Sequence, residues 1–287
     1  MNTDRHIDIM PAARHWLGPR TTACALGRAA LGAALLVIAM SAVMVSVEVL
    51  PRAYRVLWPS VVAAVCMATA YTFYARRIEH RPENAFALRH APVEVGIGLI
   101  GGAGLVGAEF AALAALHVFV LQGRHPFSPT ALSVLSDMVL VAFFEEILVR
   151  GVVLRALKRP MGSLGAVLAS ALLFGLAHLP NEGATALSTL NVAMAGVLFG
   201  TAFTVTRRLW LSIALHLSWN FTAGYLFSAT VSGQDGQAGL FFGELHGPWW
   251  MTGGAFGMEG SVMTLVALAV GTSLLVAFLP RAGTTAV

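Results

Sequence analysis

Long apolar stretches recur along the whole chain, and they constrain its fold more than any other feature of the sequence. A helix needs roughly 17–25 apolar residues to cross a bilayer, and eight stretches approach or exceed that length. Only 11% of the 287 residues are charged, against about 25% in soluble domains. The sequence therefore predicts an all-α, polytopic integral membrane helix bundle and excludes a secreted, cytosolic or disordered protein. The predicted spans are 29–50, 56–74, 93–121, 131–154, 163–179, 187–206, 209–228 and 261–279.

The basic residues predict how these spans are oriented. Of the 18 Lys and Arg residues, 14 fall on one predicted side of the membrane, whereas Arg52, Arg55 and Arg124 fall on the other. Basic residues accumulate in cytoplasmic loops, so this alternation favours about eight spans, both termini in the cytoplasm and a multi-pass protein of the plasma (inner) membrane. No basic run is typical of a nucleic-acid-binding stripe. We therefore expect the lipid bilayer, and no nucleic acid, as a partner.

The fourth span contains charged residues, which lipid disfavours. A charged side chain at mid-bilayer costs at least about 2.5–3.5 kcal/mol, yet Glu145, Glu146 and Arg150 lie within six residues. Glu146 and Arg150 are four residues apart and share a helix face, so they can form an ion pair. Glu145 is rotated from Glu146 by about 100° and is left available for general-base chemistry. A buried ion pair used for packing is the competing interpretation, but it does not account for Glu145.

Two later spans add further polar groups. His178 ends the fifth span, and His216 and Asn220 lie four residues apart on the seventh. A single intramembrane histidine is more often a packing residue than a catalyst, but polar groups on three helices predict one shared cavity. At about 1.5 Å per residue, Glu145 lies about 15 Å deep counted from Arg155, and His216 about 12 Å counted from Arg208. His178 lies about 22 Å deep counted from the start of the fifth span. The first two depths favour a site near the cytoplasmic side, and the third does not fit it.

The order and spacing of these residues resemble the CPBP family. This family includes CAAX prenyl endopeptidases of the Ras-converting-enzyme type, bacteriocin-processing or immunity proteins, and proteins similar to lysostaphin resistance protein A. The matching motifs are E-E-x-x-x-R at Glu145–Arg150, F-x-x-x-H at Phe174–His178 and H-x-x-x-N at His216–Asn220. The resemblance covers about residues 131–225.

The resemblance implies an intramembrane endopeptidase. Its substrate would be a membrane-associated peptide, of CAAX or prenyl-like type, that reaches the site from the cytoplasm. The implied catalytic roles are water activation for Glu145 with His178, oxyanion stabilisation for His216 with Asn220, and support of the site for Glu146 with Arg150.

The need for a metal stays open at this point. Glu145, His178 and His216 could bind a divalent ion such as zinc, since catalytic zinc usually has three protein ligands and a water. A metal-free, glutamate-driven mechanism suits the same residues. The chain contains no H-E-x-x-H motif of the zincin type.

The resemblance also predicts how the chain is divided. A CPBP-like catalytic core, with helices four to seven, is expected at 131–228. The remaining segments are a cytoplasmic N-terminal segment at 1–28, helices one to three at 29–130, an outer loop at 229–260 anchored by Trp249 and Trp250, and the last helix with a cytoplasmic tail at 261–287.

Other functions remain in competition. A non-proteolytic transporter, or an immunity or scaffold factor, could use the same cavity, because intramembrane carboxylates and histidines also act as proton relays. Gly102–Gly107 matches G-x-G-x-x-G, but no strand precedes it, so it favours close helix packing over dinucleotide binding. The other polar residues inside predicted spans, for which packing or an interfacial position is the default expectation, are Glu48, Glu109, His117 and Asp137.

Overall fold

The computed structural model describes residues 21–51, 55–82, 84–234 and 238–278, with side chains from Leu26 onward. Most of the predicted N-terminal segment 1–28 lies outside the described residues. The same holds for most of the predicted tail, and for Arg52 and Arg281 of the orientation argument.

Helices occur at all eight predicted stretches, so these predictions are confirmed as helix positions. Because each stretch is apolar around its whole circumference, the helices pack against one another on several faces. The α-helices are α1 (Thr21–Val47), α2 (Trp58–Phe73), α3 (Ala91–Ala115), α4 (Thr130–Glu146), α5 (Arg155–Ala177), α6 (Ala186–Thr206), α7 (Trp210–Phe221), α8 (Trp249–Thr252) and α9 (Val262–Phe278). Turns of π-helix extend α2, α4 and α7 over Tyr74–Ile78, Ile147–Leu154 and Thr222–Leu226.

The prediction of an all-α fold is wrong in one place. Strand β1 (Phe119–Arg124) pairs antiparallel with β2 (Phe241–Leu245). α3 stops at Ala115 rather than continuing to 121, and His117 takes a left-handed backbone conformation with φ 57° before the strand begins. The first four residues after His117 are valine, phenylalanine, valine and leucine, and β-branched and aromatic residues suit a pleated strand.

Three described helical segments are long and apolar enough to cross a membrane, namely Leu26–Val47, Leu88–Ala115 and Ala186–Thr206. Val262–Phe278 is apolar but shorter. The molecule is therefore a largely helical membrane protein. The number of spans and the side on which the termini lie stay predictions.

Small residues let α3 pack closely on α7. A Cβ at Gly98 would lie 2.5 Å from the Cβ of Ala214, and one at Gly102 would lie 2.6 Å from the carbonyl oxygen of Leu215. Gly102 opens the G-x-G-x-x-G match, and its contact with α7 confirms the helix-packing interpretation there.

One sharp reversal aligns the two helices that carry the first two motifs. The helix of α4 runs without a break through its π turns into the start of α5, and it ends at Gly162, whose φ is 70°. Arg150 and Phe174, each twelve residues from Gly162, meet across this reversal with the guanidinium 4.7 Å from the ring centroid. Glu145 and His178 are thus both about 25 Å from the same turn at 1.5 Å per residue. The mismatch in their expected depths disappears, because the helix continues past Arg155.

Candidate active site

Glu146 and Arg150 form a fully buried ion pair. Arg150 Nη1 donates to Glu146 Oε1 over 2.7 Å, and both side chains are 0% exposed. Arg150 Nη2 also donates to the carbonyl oxygen of Gly196 on α6, over 3.2 Å. The guanidinium lies over the rings of Phe174 and Phe199, at 4.7 and 5.2 Å from their centroids. These partners satisfy a charge that lipid would not accept and fix α4 against α5 and α6.

His216 bridges the two glutamates. Its Nδ1 lies 3.0 Å from Glu146 Oε1, and its Nε2 lies 3.8 Å from Glu145 Oε2. Because an ionised carboxylate only accepts hydrogen bonds, Nδ1 carries the proton donated to Glu146, and this bond fixes the ring so that Nε2 faces Glu145. The ring also stacks on Phe199, with centroids 4.9 Å apart.

His178 lies where α5 ends, at the edge of the same site. Its Nδ1 donates to the carbonyl oxygen of Phe174 over 2.8 Å, since that oxygen can only accept. The ring packs edge-on against Phe174, with centroids 4.7 Å apart. The Nδ1 bond leaves Nε2 as the nitrogen that can work on a substrate or a water.

One cavity of about 480 Å³ joins these groups. This volume falls in the range of about 300–1,000 Å³ that is usual for ligand sites. Glu145, His178, His216 and Asn220 all line it, whereas Glu146 and Arg150 lie behind the wall. The side chain of Glu145 is 25% exposed and that of Glu146 is 0% exposed. The two neighbouring carboxylates are thus separated, one facing the cavity and the other facing the ion pair.

All six predicted site residues come together, but a metal site does not. Among the described residues, no three His, Cys, Asp or Glu side chains converge closely enough to hold a metal ion. Glu145, His178 and His216 therefore do not form a three-ligand metal centre.

Some contributors could not be found from the sequence. Ser232 and Gln234 line the cavity from the predicted outer loop, and Glu259 lines a smaller cavity of about 30 Å³ beside His216. None of them belongs to a motif or a predicted span. Glu259 is only marked as an acidic residue in a long segment that has no Lys or Arg.

The other polar residues in predicted spans divide among several environments. Asp137 lines the large cavity. Glu109 is buried and accepts hydrogen bonds from Ser261 and Thr264, which agrees with a packing role. Glu48 and His117 are exposed in the protein.

Residues 127–222 match the family model described as Type II CAAX prenyl endopeptidase Rce1-like. This segment is about a third of the chain, and it contains all six predicted site residues. The match confirms the resemblance that the motifs carry. No curated protein and no solved structure matches the chain.

Proposed function

We propose that this chain, which carries an Rce1-like domain at residues 127–222, is an intramembrane endopeptidase that hydrolyses a peptide bond of a membrane-associated substrate. The observation that carries the proposal is the convergence of Glu145, His178 and His216 on one 480 Å³ cavity. A carboxylate, two imidazoles and a carboxamide are the groups that peptide hydrolysis by an activated water requires.

Glu145 is the general base of the proposed reaction. It is the carboxylate that faces the cavity, while Glu146 is taken up by Arg150 and His216. With His178 orienting the water, Glu145 accepts a proton as the water oxygen attacks the peptide carbonyl. The same proton then passes to the leaving amine, so Glu145 returns to its starting state.

His216 and Asn220 stabilise the oxyanion that forms on the attacked carbonyl. They lie one helical turn apart on α7 and both line the cavity. Asn220 donates from its amide, and His216 donates from Nε2 in its protonated form, since Nδ1 is held by Glu146. Preorganised donors of this kind are worth about 2.7–4 kcal/mol each in the transition state.

Glu146 and Arg150 act as positioning residues. Glu146 holds the ring of His216, and Arg150 holds Glu146 against α6. Neither side chain reaches the cavity, so neither is assigned contact with the substrate.

The proposal is tested by replacing Glu145 without changing its shape. Glu145→Gln removes the base, and we expect cleavage to fall by at least about 100-fold, the lower end of what general-base catalysis supplies. The measurement compares peptides released from membranes that contain the wild type or the variant, by mass spectrometry. Glu244→Gln, at an exposed glutamate of β2, is the matched control and should keep full activity.

Two outcomes would contradict the proposal. Undiminished peptide release by Glu145→Gln would remove Glu145 from the reaction. Proton-dependent solute flux in reconstituted liposomes, without any peptide release by the wild type, would favour the transporter alternative.

A further inference from the structure

The cavity extends from the catalytic groups toward one end of the bundle. On α4 and the following π turn its lining runs from Val149 back to Val134, a distance of about 22 Å at 1.5 Å per residue. On α7 and the turns after it, the lining runs from His216 to Gly224. The cavity therefore points toward the N-terminal end of α4 and the C-terminal end of α7, which lie at the same end because these helices are antiparallel.

The connections at that end complete the cavity wall. Asn181, from the turn after α5, donates through Nδ2 to the carbonyl oxygen of Ser232 over 2.8 Å. Asn181, Ser232 and Gln234 all line the cavity. No described residue from the connections at the opposite end, 79–90, 155–162 and 206–209, contributes to the lining.

The opposite end of the bundle is the basic one. Arg28 pairs with Glu79 over 2.8 Å, and the backbone N–H of Leu209 donates to the carbonyl oxygen of Ala85, so these connections meet there. Among the described basic side chains, Arg55 and Arg124 lie toward the cavity end, and Arg150 is buried inside the bundle behind the cavity wall. Those at the basic end are Arg28, Arg76, Arg77, Arg81, Arg89, Arg155, Lys158, Arg159, Arg207 and Arg208.

Charge and cavity thus occupy opposite ends of the same bundle. Basic connections are retained in the cytoplasm, which assigns the cavity end to the other face of the membrane. We infer that the substrate of the proposed peptidase is a noncytoplasmic segment of a membrane-anchored protein, and that it enters between the N-terminal half of α4 and residues 231–234. This inference rests on the proposed function, and it replaces the sequence-based expectation of cytoplasmic access.

The charge of the cavity lining further restricts which substrate sequences can bind. Asp137 and Glu145 line the cavity, and none of the described Lys or Arg residues does. Asp137 lies eight residues before Glu145, which is about 12 Å along the helix, or about four residues of an extended peptide. A substrate segment with neutral or basic side chains on that side of the scissile bond fits this lining, whereas an acidic segment would be repelled.

The side of access can be measured by cysteine labelling of the full chain. Cys24→Ser and Cys66→Ser provide a background without native cysteine, and single cysteines are then placed by Gln234→Cys and Asp137→Cys in the cavity and by Lys158→Cys at the basic end. In right-side-out vesicles treated with a charged, impermeant maleimide, we expect labelling of the two cavity positions and none at 158. In inside-out vesicles we expect the opposite pattern.

A second cavity reporter protects the test against a folding defect at 137. Val141→Cys lies one turn deeper on α4 and also lines the cavity. The inference is overturned if the cavity cysteines react from the same side as Lys158→Cys, if Lys158→Cys reacts in right-side-out vesicles, or if positions 137 and 141 both react from neither side.

Cleavage measured in the same vesicles separates this inference from the proposed function. The probe is a synthetic peptide that spans the cleavage site identified by the Glu145→Gln comparison, added outside each vesicle type. Cleavage in right-side-out vesicles alone supports the inference, and cleavage in inside-out vesicles alone overturns it. If neither vesicle type cleaves the peptide but the labelling pattern is the expected one, the proposed peptidase function fails, and the substrate assignment fails with it. The labelling would then still show that the cavity opens to the noncytoplasmic face.

Discussion

At the scale of single residues, one carboxylate oxygen organises the site. Glu146 Oε1 accepts from Arg150 Nη1 over 2.7 Å and lies 3.0 Å from His216 Nδ1. A fully buried carboxylate shared by a guanidinium and an imidazole fixes three side chains from two helices in a single arrangement. Glu145 is thereby left to face the cavity, where the proposed reaction needs a general base.

The buried ion pair predicts a large loss of stability when its arginine is removed. Arg150→Met removes the guanidinium partner of the buried Glu146 carboxylate and leaves it bonded to His216, and we expect the free energy of unfolding to fall by about 3–5 kcal/mol. Thermal unfolding of the purified protein in detergent measures this loss. The matched control is Arg159→Met, at an exposed arginine nine residues later, which should change stability little. Equal stability of the two variants would mean that the ion pair does not support the fold.

Sequence spacing predicted the Glu146–Arg150 pair but not the contact between Glu146 and His216. The first is local, because residues four apart on a helix always face the same side. The second joins positions 146 and 216, and it depends on how α7 packs against α4. Sequence spacing could therefore predict that His216 and Asn220 lie on one helix face, but it could not predict which glutamate the imidazole contacts.

At the scale of elements, the helices were predictable and the strands were not. Each long helix corresponds to a continuous apolar stretch, so its position follows from local composition. β1 and β2 pair across more than a hundred residues, and neither shows a signal strong enough to separate it from an apolar helix or a loop. The depth of Glu145 also required tertiary information, because it depends on the reversal at Gly162 rather than on Arg155, the nearest basic residue.

The contact between α5 and α6 predicts that Gly196 cannot be replaced by a larger residue without cost. A Cβ at Gly196 would lie 2.7 Å from the Cα of Ala171, and the carbonyl oxygen of Gly196 also accepts from Arg150. Gly196→Ala should force the helices apart and lower the free energy of unfolding by about 1–3 kcal/mol. Activity should fall with it, because the acceptor of Arg150 moves.

The control for this prediction is Gly104→Ala on α3. A Cβ there would meet nothing within 4 Å, and alanine in a helix is more favourable than glycine by about 0.5–1 kcal/mol. Gly104→Ala should therefore be neutral or stabilising in the same unfolding measurement. If both variants behaved alike, close approach of α5 and α6 at Gly196 would not be a constraint.

At the scale of the whole molecule, the segment between α7 and α9 is tied into the bundle beside the site. Glu259 is buried, and it accepts from Trp219 Nε1 over 2.7 Å and from the backbone N–H and hydroxyl of Ser232 over 2.6 and 2.8 Å. Trp219 adjoins Asn220 on α7, and Ser232 lines the substrate cavity. One side chain from the predicted outer loop thus connects α7 to the wall of the cavity.

This connection predicts that Glu259 affects substrate binding more than the chemical step. In Glu259→Gln one carboxylate oxygen becomes an NH2 group, which donates and cannot accept. Either Trp219 or Ser232 therefore loses its acceptor, depending on which oxygen is replaced. Leaving buried donors unpaired costs about 1–3 kcal/mol, and it should loosen residues 231–234 without moving Glu145. We expect faster amide hydrogen exchange in that segment and a higher KM, with kcat changed much less. The control is Glu244→Gln, at an exposed glutamate between α7 and α9, which should change neither the hydrogen exchange nor the KM. A fall in kcat at unchanged KM for Glu259→Gln would instead assign Glu259 a part in positioning His216 and Asn220 on α7.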